Sequence, residues 1–419
     1  MDYKLHYDTL VGKLYVGKNP IIKKNVDFLA FWEKENPLCL GTEFYGMTLV
    51  LTSQCNLRCT YCWELPILNK KTNSMSKKTL DKWLRFFLSQ GLSREKKITY
   101  YGGEPLIRAD LIEYSAKKIN EFCQRKNIPK PKQHIFTNGT LINEKTTKLF
   151  KKNNIFPVIS LDGNEIANNS RVDILRRPAF SRIIKGIKKL QDEKIAFGIA
   201  CTTPNLTSDA EEIANFIINK LKPTSVEFNL RHDKQMARLY STGKRANFRG
   251  LNKAWDLSIS KKIRVIDLAK RVDALIEQKP LRSVCSGCKH KLAIMPNGKI
   301  SPFSGAIALP RLQINPPKNE NSVVEWIEPF TKLWGRELRN QSKCKTCPAI
   351  FVCGQGCGFS SILQYGDINH IPAYHCEYTK YMFDYILKKI KRNIKLRGQE
   401  IREIKPCEIA RIFDWNQPN

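Results

Sequence analysis

A repeated order of strand and helix most constrains how this chain folds. From about residue 47, short runs rich in β-branched and aromatic residues alternate with amphipathic stretches of helical period. There are six such strand-like runs: GMTLVLT, KKITYYGG, KQHIFTNG, FPVISLDG, AFGIACTT and SVEFNL. A long helical tract follows the sixth and reaches about residue 279. Consecutive strand–helix pairs predict parallel strands joined by crossover helices, in either an open α/β sheet or a barrel.

The ends of the first four predicted strands carry unusual sequences. A cysteine triplet follows the first strand, and GGEP, TNGT and SLDG end the second, third and fourth. In parallel α/β folds, the loops after the carboxyl ends of the strands carry the chemistry. We therefore expect these four loops to form a single active site. After the sixth strand, Arg231, His232 and Asp233 are candidates for substrate positioning or proton transfer.

Fourteen cysteines are the strongest compositional signal. In a reducing compartment, clustered thiols indicate metal ligands and not disulfides. Ten of them lie in or near close-spaced groups: Cys55, Cys59, Cys62, Cys285, Cys288, Cys344, Cys347, Cys353, Cys357 and Cys376. The other four are isolated, and we interpret them as small buried hydrophobic residues: Cys39, Cys123, Cys201 and Cys407.

The first cysteine group has only three members, Cys55, Cys59 and Cys62, and no nearby fourth thiol or histidine. A structural zinc site needs four ligands, so three thiolates favour an iron–sulfur cluster with one iron left open. A zinc site shared with another part of the chain is the alternative.

The triplet resembles the signature of the radical SAM enzymes, with Tyr61 as the aromatic residue before the last cysteine. The resemblance implies a 4Fe–4S cluster whose open iron chelates S-adenosylmethionine, and a 5′-deoxyadenosyl radical that abstracts hydrogen. It implies that the GGEP loop binds the methionine amino group and that later strand ends contact the ribose and carboxylate. The corresponding residues are Gly102, Gly103, Glu104, Thr137, Asn138, Ser160 and Arg171.

The later cysteines resemble the SPASM extension of radical SAM enzymes that modify peptides and proteins. That resemblance implies one auxiliary 4Fe–4S cluster held by Cys344, Cys347, Cys353 and Cys376. It also implies that Cys357 reaches a second auxiliary cluster with Cys285 and Cys288. The pattern departs at Phe303, where the family has another cysteine. The second cluster therefore has an open iron, takes a substitute ligand or is absent. A pair of zinc ribbons is the alternative for the whole region.

The expected fold is α/β, a partial (β/α)6 TIM-like barrel with a C-terminal cysteine-rich auxiliary-cluster domain. We predict an N-terminal cap segment over 1–47, which includes NVDFLAFWEKENP, and the barrel over 48–279. A SPASM-like domain over 280–380 is predicted to contain a hairpin that turns at Asn297-Gly298, and a basic helical tail over 381–419 follows it.

The expected function is radical modification of a ribosomally made precursor peptide, forming a thioether, a carbon–carbon crosslink or a related oxidation. Flavodoxin or ferredoxin is the expected reducing partner. One alternative is oxidation of a Cys or Ser in a protein, as in anaerobic sulfatase-maturing enzymes. The excess of 71 Lys and Arg over 39 Asp and Glu, a net charge of +32, leaves an RNA-binding or RNA-modifying protein as another. A lysine-rich solvated surface explains the charge equally well. No apolar run is long enough to cross a membrane, and we predict a cytoplasmic protein.

Overall fold

The structure is a computed structural model of the chain. It describes residues 4–8, 13–17, 44–68, 73–91, 95–202, 210–230, 248, 250–281, 284, 290–316, 342–345, 347–394 and 402–415. Most of the predicted cap segment, Cys285, Cys288 and the Arg231–His232–Asp233 group lie outside these ranges.

Six parallel strands form the centre of the molecule. An N-terminal hairpin precedes them, with strands β1 (Lys4–Asp8) and β2 (Lys13–Gly17). The central strands are β3 (Gly46–Val50), β4 (Lys97–Tyr101), β5 (Lys132–Thr137), β6 (Ile155–Ser160), β7 (Gly198–Thr202) and β8 (Ser225–Asn229). Each pairs with the next in parallel register. The predicted strand–helix repeat is therefore confirmed.

Amphipathic helices connect these strands. They are α1 (Leu65–Leu68), α2 (Lys77–Ser89), α3 (Ala109–Lys126), α4 (Glu144–Asn153), α5 (Phe180–Asp192) and α6 (Ala210–Asn215), and α6 continues as a π-helix over Phe216–Leu221. Their apolar faces, with Trp83, Ile119 and Ile187 among the buried residues, pack in one hydrophobic core with the strands. Side-chain caps start two of the helices, at Ser76 and Asn143.

The predicted long helical tract is interrupted. Helix α7 (Leu251–Ser260) ends before Lys262, whose φ of 56° is incompatible with continuing an α-helix. Strand β9 (Arg264–Val265) then pairs with β8, and α8 (Ile266–Ile276) follows. The backbone conformation at Lys262 thus allows the chain to return to the sheet.

The C-terminal region contributes strands to the central sheet and to a second, small sheet that contains β1 and β2. Strands β10 (Lys291–Ile294) and β11 (Ile300–Ser301) form the predicted hairpin, and β10 pairs in parallel with β3. The sheet of the described residues therefore has nine strands, with β11 and β9 at its edges and no closure between them. The hairpin belongs to the same sheet as the barrel, although it lies in the predicted second domain.

The cysteine-rich segment is helical. Its helices are α9 (Ser342–Lys345), α10 (Ile350–Cys353), α11 (Gly358–Tyr365) and α12 (Ala373–Asn393), followed by strand β12 (Arg402–Glu403) and α13 (Pro406–Ile412). Strand β12 pairs with β2, and the Tyr378 hydroxyl of α12 donates to the Phe228 carbonyl of β8 at 3.2 Å. Helix α12 therefore fastens the cysteine-rich segment to the barrel. No helix in the described ranges is long and apolar enough to span a membrane.

Candidate active site at the carboxyl ends of the strands

The loop after β3 brings the three N-terminal cysteines together. The Cys62 amide donates to the Cys59 carbonyl at 3.0 Å, and the Leu57 amide approaches the Cys55 sulfur at 3.4 Å. The guanidinium of Arg58 donates to the carbonyls of Cys55 and Leu57, both at 2.8 Å. This arginine closes the loop on itself, and sequence reasoning did not identify it.

Burial raises the pKa of all three thiols, that of Cys55 to about 12. The positive charge of Arg171 opposes this effect at Cys59. Thiols in such surroundings become thiolates only when a cation compensates the charge, which is what binding to iron supplies. No group of three or more His, Cys, Asp or Glu side chains in the described part of the chain is placed to hold a single metal ion. In a 4Fe–4S cluster each thiolate binds a different iron, so this donor set fits a cluster better than a zinc ion.

A cavity of about 290 Å³ opens beside the three cysteines. Residues at or after the ends of six strands, β3 to β8, line it, as predicted for a site at this edge of the sheet. All but one of the expected S-adenosylmethionine contacts are among them: Tyr61, Gly102, Gly103, Thr137, Asn138, Ser160 and Arg171. The structure thus brings the sequence-predicted residues of this site together.

Glu104 is the exception, because it lies behind the cavity and is fully buried. Its carboxylate accepts hydrogen bonds from the Thr137 hydroxyl at 2.6 Å and the Asn138 amide at 2.7 Å. The Leu106 amide donates to the same group at 3.0 Å. Burial raises the pKa of Glu104 to about 7. In this arrangement Glu104 ties the GGEP loop to the end of β5.

The two glycines of GGEP allow this loop to pack on the cysteine loop. The amide of Gly103 donates to the Thr52 carbonyl at 3.0 Å, and that of Glu104 donates to the Gln54 carbonyl at 2.7 Å. A Cβ atom on Gly103 would overlap the Gln54 carbonyl oxygen, and one on Gly102 would overlap that of Thr52. Only glycine permits so close a backbone approach.

A second bridge links the cysteine loop to the end of β5. The Asn138 amide group donates to Asn56 Oδ1 at 2.9 Å, and Asn56 donates in turn to the Thr140 hydroxyl at 2.8 Å. Asn56 lies directly after Cys55, but its partners are more than 80 residues away in the sequence. The sequence alone contains no signal for this contact.

Asp162 organises the far side of the cavity. The Tyr61 hydroxyl donates to it at 2.6 Å, and the Arg171 guanidinium donates to both of its oxygens at 2.9 Å. The Thr202 amide adds a bond at 3.0 Å. Burial raises the pKa of Tyr61 well above its usual value, so this side chain stays a neutral donor. The SLDG motif contains Asp162, although only its serine was assigned from the sequence.

One further acid faces the cavity. Glu64, two residues after Cys62, is almost completely buried, and burial raises its pKa to about 7. Its backbone N–H partly opposes the rise in the pKa of Cys62. No sequence pattern separated this glutamate from the other acidic residues of the chain.

The four cysteines expected to hold the auxiliary cluster lie in one neighbourhood. Burial raises the pKa of Cys376 to about 11, and the nearby thiols of Cys353, Cys344 and Cys347 contribute to the shift. Cys353 ends α10, and Cys376 lies in the first turn of α12. These four residues therefore match the donor set of a second cluster.

Phe303 is buried where the family pattern expects a cysteine. Its ring packs against Phe359 at 5.7 Å, and Phe359 packs against Trp63, also at 5.7 Å. Trp63 directly follows Cys62, so this aromatic contact connects the C-terminal region to the cysteine loop. Cys357 lies just before α11, whereas its expected companions Cys285 and Cys288 lie outside the described residues.

The fold and the site define a class of cofactor-binding α/β domain, and comparison identifies the family. Residues 49–217 match the model of the radical SAM superfamily, so this part of the chain is a radical SAM domain. The family uses a 4Fe–4S cluster and S-adenosylmethionine, which agrees with the three-cysteine loop and the cavity described above.

The relatives include an anaerobic sulfatase-maturating enzyme and an uncharacterized protein. The chain is 33% identical over 173 residues to the cysteine-type anaerobic sulfatase-maturating enzyme of Clostridium novyi, covering 38% of this chain and 43% of that enzyme. It is 32% identical over 194 residues to an uncharacterized protein of Methanocaldococcus jannaschii, covering 46% and 65% of the two chains. The alignments thus span less than two thirds of either relative.

Solved structures share the fold over most of the chain. Native anSMEcpe with bound AdoMet and Cp18Cys peptide matches with a TM-score of 0.67 and 18% identity, covering 84% of this chain and 99% of that one. Streptococcus suis SuiB bound to the precursor peptide SuiA matches with a TM-score of 0.55 and 18% identity, covering 86% and 83%. At these identities the similarity is one of fold.

Proposed function

We propose that this protein is a radical SAM maturase that installs a thioether, a carbon–carbon crosslink or a related oxidation in a ribosomally made peptide. The observation that carries the proposal is the convergence of the cysteine loop, the GGEP loop and the ends of β5 and β6 on one cavity. The similarity in fold to proteins solved with a Cp18Cys peptide and with SuiA supports a peptide substrate.

In this proposal Cys55, Cys59 and Cys62 hold a 4Fe–4S cluster, and residues of the cavity bind S-adenosylmethionine. When bound, the cluster and S-adenosylmethionine supply an electron and a 5′-deoxyadenosyl radical that removes a hydrogen atom from the substrate. Gly102, Gly103, Asn138 and Ser160 line the wall on which S-adenosylmethionine would lie.

Other residues position this machinery. Glu104 holds the GGEP loop against the end of β5, and Asp162 holds Tyr61 and Arg171 at the opposite wall. Apolar side chains complete the lining: Leu57, Leu68, Phe136, Ala200 and Leu230. They keep water away from the radical, whose side reactions are the main hazard of this chemistry.

Cys344, Cys347, Cys353 and Cys376 would hold an auxiliary cluster that exchanges an electron with the substrate. A small electron carrier such as flavodoxin or ferredoxin would reduce the first cluster. The net charge of +32 favours an acidic carrier, because opposite charges accelerate encounter.

The test is anaerobic purification, iron and sulfide analysis, and incubation with reductant and S-adenosylmethionine. We expect 5′-deoxyadenosine from the wild-type protein and none from Cys59→Ala. Cys407→Ala is the matched control, because Cys407 belongs to neither cysteine group and is exposed, so the burial expected for it from the sequence was wrong. Iron near eight or twelve atoms per chain, at about four per cluster, would distinguish one auxiliary cluster from two. Zinc in place of iron with no deoxyadenosine would refute the proposal.

Sulfatase-type maturation is the second candidate, favoured by the identity to the Clostridium novyi enzyme. Against it stands Phe303, a residue that cannot ligate iron at a position where the pattern of that family has a cysteine. Incubation with a peptide that contains the Cys or Ser of a sulfatase site, followed by mass spectrometry, separates the two. Serine would lose two hydrogens to give the aldehyde, whereas cysteine would lose two hydrogens to give a thioaldehyde that water hydrolyses to the aldehyde with release of hydrogen sulfide. Either mass change would favour this candidate.

The dependence of RNA binding on salt concentration tests the alternative of an RNA-binding role. Binding that neutralises phosphates weakens steeply as salt rises. A filter-binding experiment with structured and single-stranded RNA at low salt would reject this role if no complex forms.

A further inference from the structure

Arg271 is a buried arginine that pairs with no acidic side chain in the described part of the protein. It lies on α8, and only 3% of its surface is exposed. Its Nη1 donates to the Asp267 carbonyl at 2.8 Å, and its Nη2 contacts the Thr379 hydroxyl at 3.3 Å. Its Nε has no partner, and within the described ranges no carboxylate forms an ion pair with it. A buried charge without a counter-charge is costly, so a negative group is expected beside it.

A cysteine of the proposed auxiliary cluster lies within electrostatic reach of Arg271. Burial raises the pKa of Cys353, and the positive charge of Arg271 opposes the increase. A cluster bound by four thiolates carries net negative charge, which is the counter-charge that Arg271 lacks.

Thr379 links Arg271 to helix α12. It is 2% exposed, and its hydroxyl accepts a hydrogen bond from Arg271. Thr379 follows Cys376 by three residues on α12, so both side chains lie on one face of that helix. The same face of α12 thus presents a proposed cluster ligand and the hydroxyl that Arg271 contacts.

We propose that Arg271 and Thr379 raise the reduction potential of the cluster bound by Cys344, Cys347, Cys353 and Cys376. This inference rests on the proposed function, which assigns those four cysteines to an auxiliary cluster. Reduction adds one negative charge to the cluster, and a fixed positive charge in a buried environment stabilises the reduced state. The hydroxyl of Thr379 holds the guanidinium in place. The pair would thereby make the cluster a better acceptor of the one electron that the substrate radical loses.

The test is an EPR-monitored redox titration of the full chain. The Cys55, Cys59 and Cys62 triplet is replaced by alanine, so that the first cluster contributes no signal. Cys376→Ala in this background identifies which remaining signal belongs to the proposed cluster. Arg271→Met removes the charge, Thr379→Val removes the hydrogen bond, and Arg271→Lys retains the charge. Arg264→Met is the control, because it removes an equal charge from an arginine that pairs with Asp273 at 2.6 Å.

We expect Arg271→Met to lower the ratio of reduced to oxidised cluster at a fixed potential by tenfold or more. A tenfold change corresponds to a reduction potential that is lower by about 59 mV for one electron. Thr379→Val should shift the potential in the same direction by less, Arg271→Lys should retain most of the wild-type value, and Arg264→Met should match the wild type. Iron content shows whether each variant still holds its cluster.

Two results separate the possible failures. If Arg271→Met and Thr379→Val keep their iron and their clusters have the wild-type reduction potential, the tuning role is refuted, whereas the cluster assignment stands. If Cys376→Ala loses neither iron nor signal, the assignment of the cluster itself fails.

Discussion

The ion pair of Asp162 and Arg171 gives the sharpest test of how the cavity is built. The Asp162 side chain is fully buried and that of Arg171 is 7% exposed. Asp162 accepts four hydrogen bonds, two from Arg171 and one each from Tyr61 and the Thr202 amide. The change Asp162→Asn removes the charge and leaves one oxygen to accept them.

We expect Asp162→Asn to lower the free energy of unfolding by about 3–5 kcal/mol, because breaking a buried pair leaves an uncompensated charge. Arg171→Met should cost a similar amount for the same reason. The double variant should cost less than the sum of the two, by about 1–3 kcal/mol, since the second change removes a charge that is already unpaired. The same variants should form less 5′-deoxyadenosine, because Tyr61 loses its anchor.

The assay is anaerobic urea unfolding followed by circular dichroism, with the slope m compared between variants so that the free energies are comparable. Arg177→Met is the control. Its side chain is 68% exposed and pairs with Asp173 at 2.8 Å, so we expect a change of no more than about 1 kcal/mol. Additive costs, within about 0.5 kcal/mol, would show that Asp162 and Arg171 do not stabilise each other and would refute this account of the cavity.

Two further predictions concern the loops and the core. Gly103→Ala should reduce both iron content and 5′-deoxyadenosine formation, because its Cβ would push the GGEP loop away from Gln54; Gly91→Ala, with nothing within 4 Å of the new Cβ, should leave both unchanged. Equal losses in the two variants would argue against the close packing of the loops. Burial lowers the pKa of His134 to about 3, so the folded protein binds fewer protons there than the unfolded chain. Its contribution to stability is present above about pH 6.5 and is lost as the pH falls towards 3, at no more than about 1.4 kcal/mol per pH unit. Urea unfolding of His134→Phe across this range should show a shallower loss of stability on acidification than the wild type. Parallel pH profiles would mean that the folded protein does not hold His134 neutral.

Much of this protein follows from local sequence patterns. The alternation of strand-like and helical periods predicts β3 to β8 and their helices, because each element buries one face and its period is visible over a few residues. The rule that parallel strands end at one edge then places Cys55, Gly102, Asn138 and Ser160 at one cavity. The turn at Asn297-Gly298 is equally local, since this dipeptide favours the backbone angles of a tight hairpin.

Other features depend on contacts between distant parts of the chain. The pairing of β10 with β3, and of β12 with β2, joins segments hundreds of residues apart, and no local period specifies such a partner. The interruption at Lys262 is of the same kind, because the short strand after it is defined only by β8.

The supporting side chains of the site show the difference most clearly. The cysteines and glycines stand out in the sequence because few other residue types bind iron or allow so close a backbone approach. Asp162, Arg58 and Arg271 are common residue types whose importance depends on burial and on their partners. A carboxylate or guanidinium acquires its role when folding removes water and leaves particular groups to satisfy its charge. The sequence by itself therefore determined the order of the elements and the candidate cofactor ligands, whereas the tertiary structure alone decided which ordinary polar residues hold them in place.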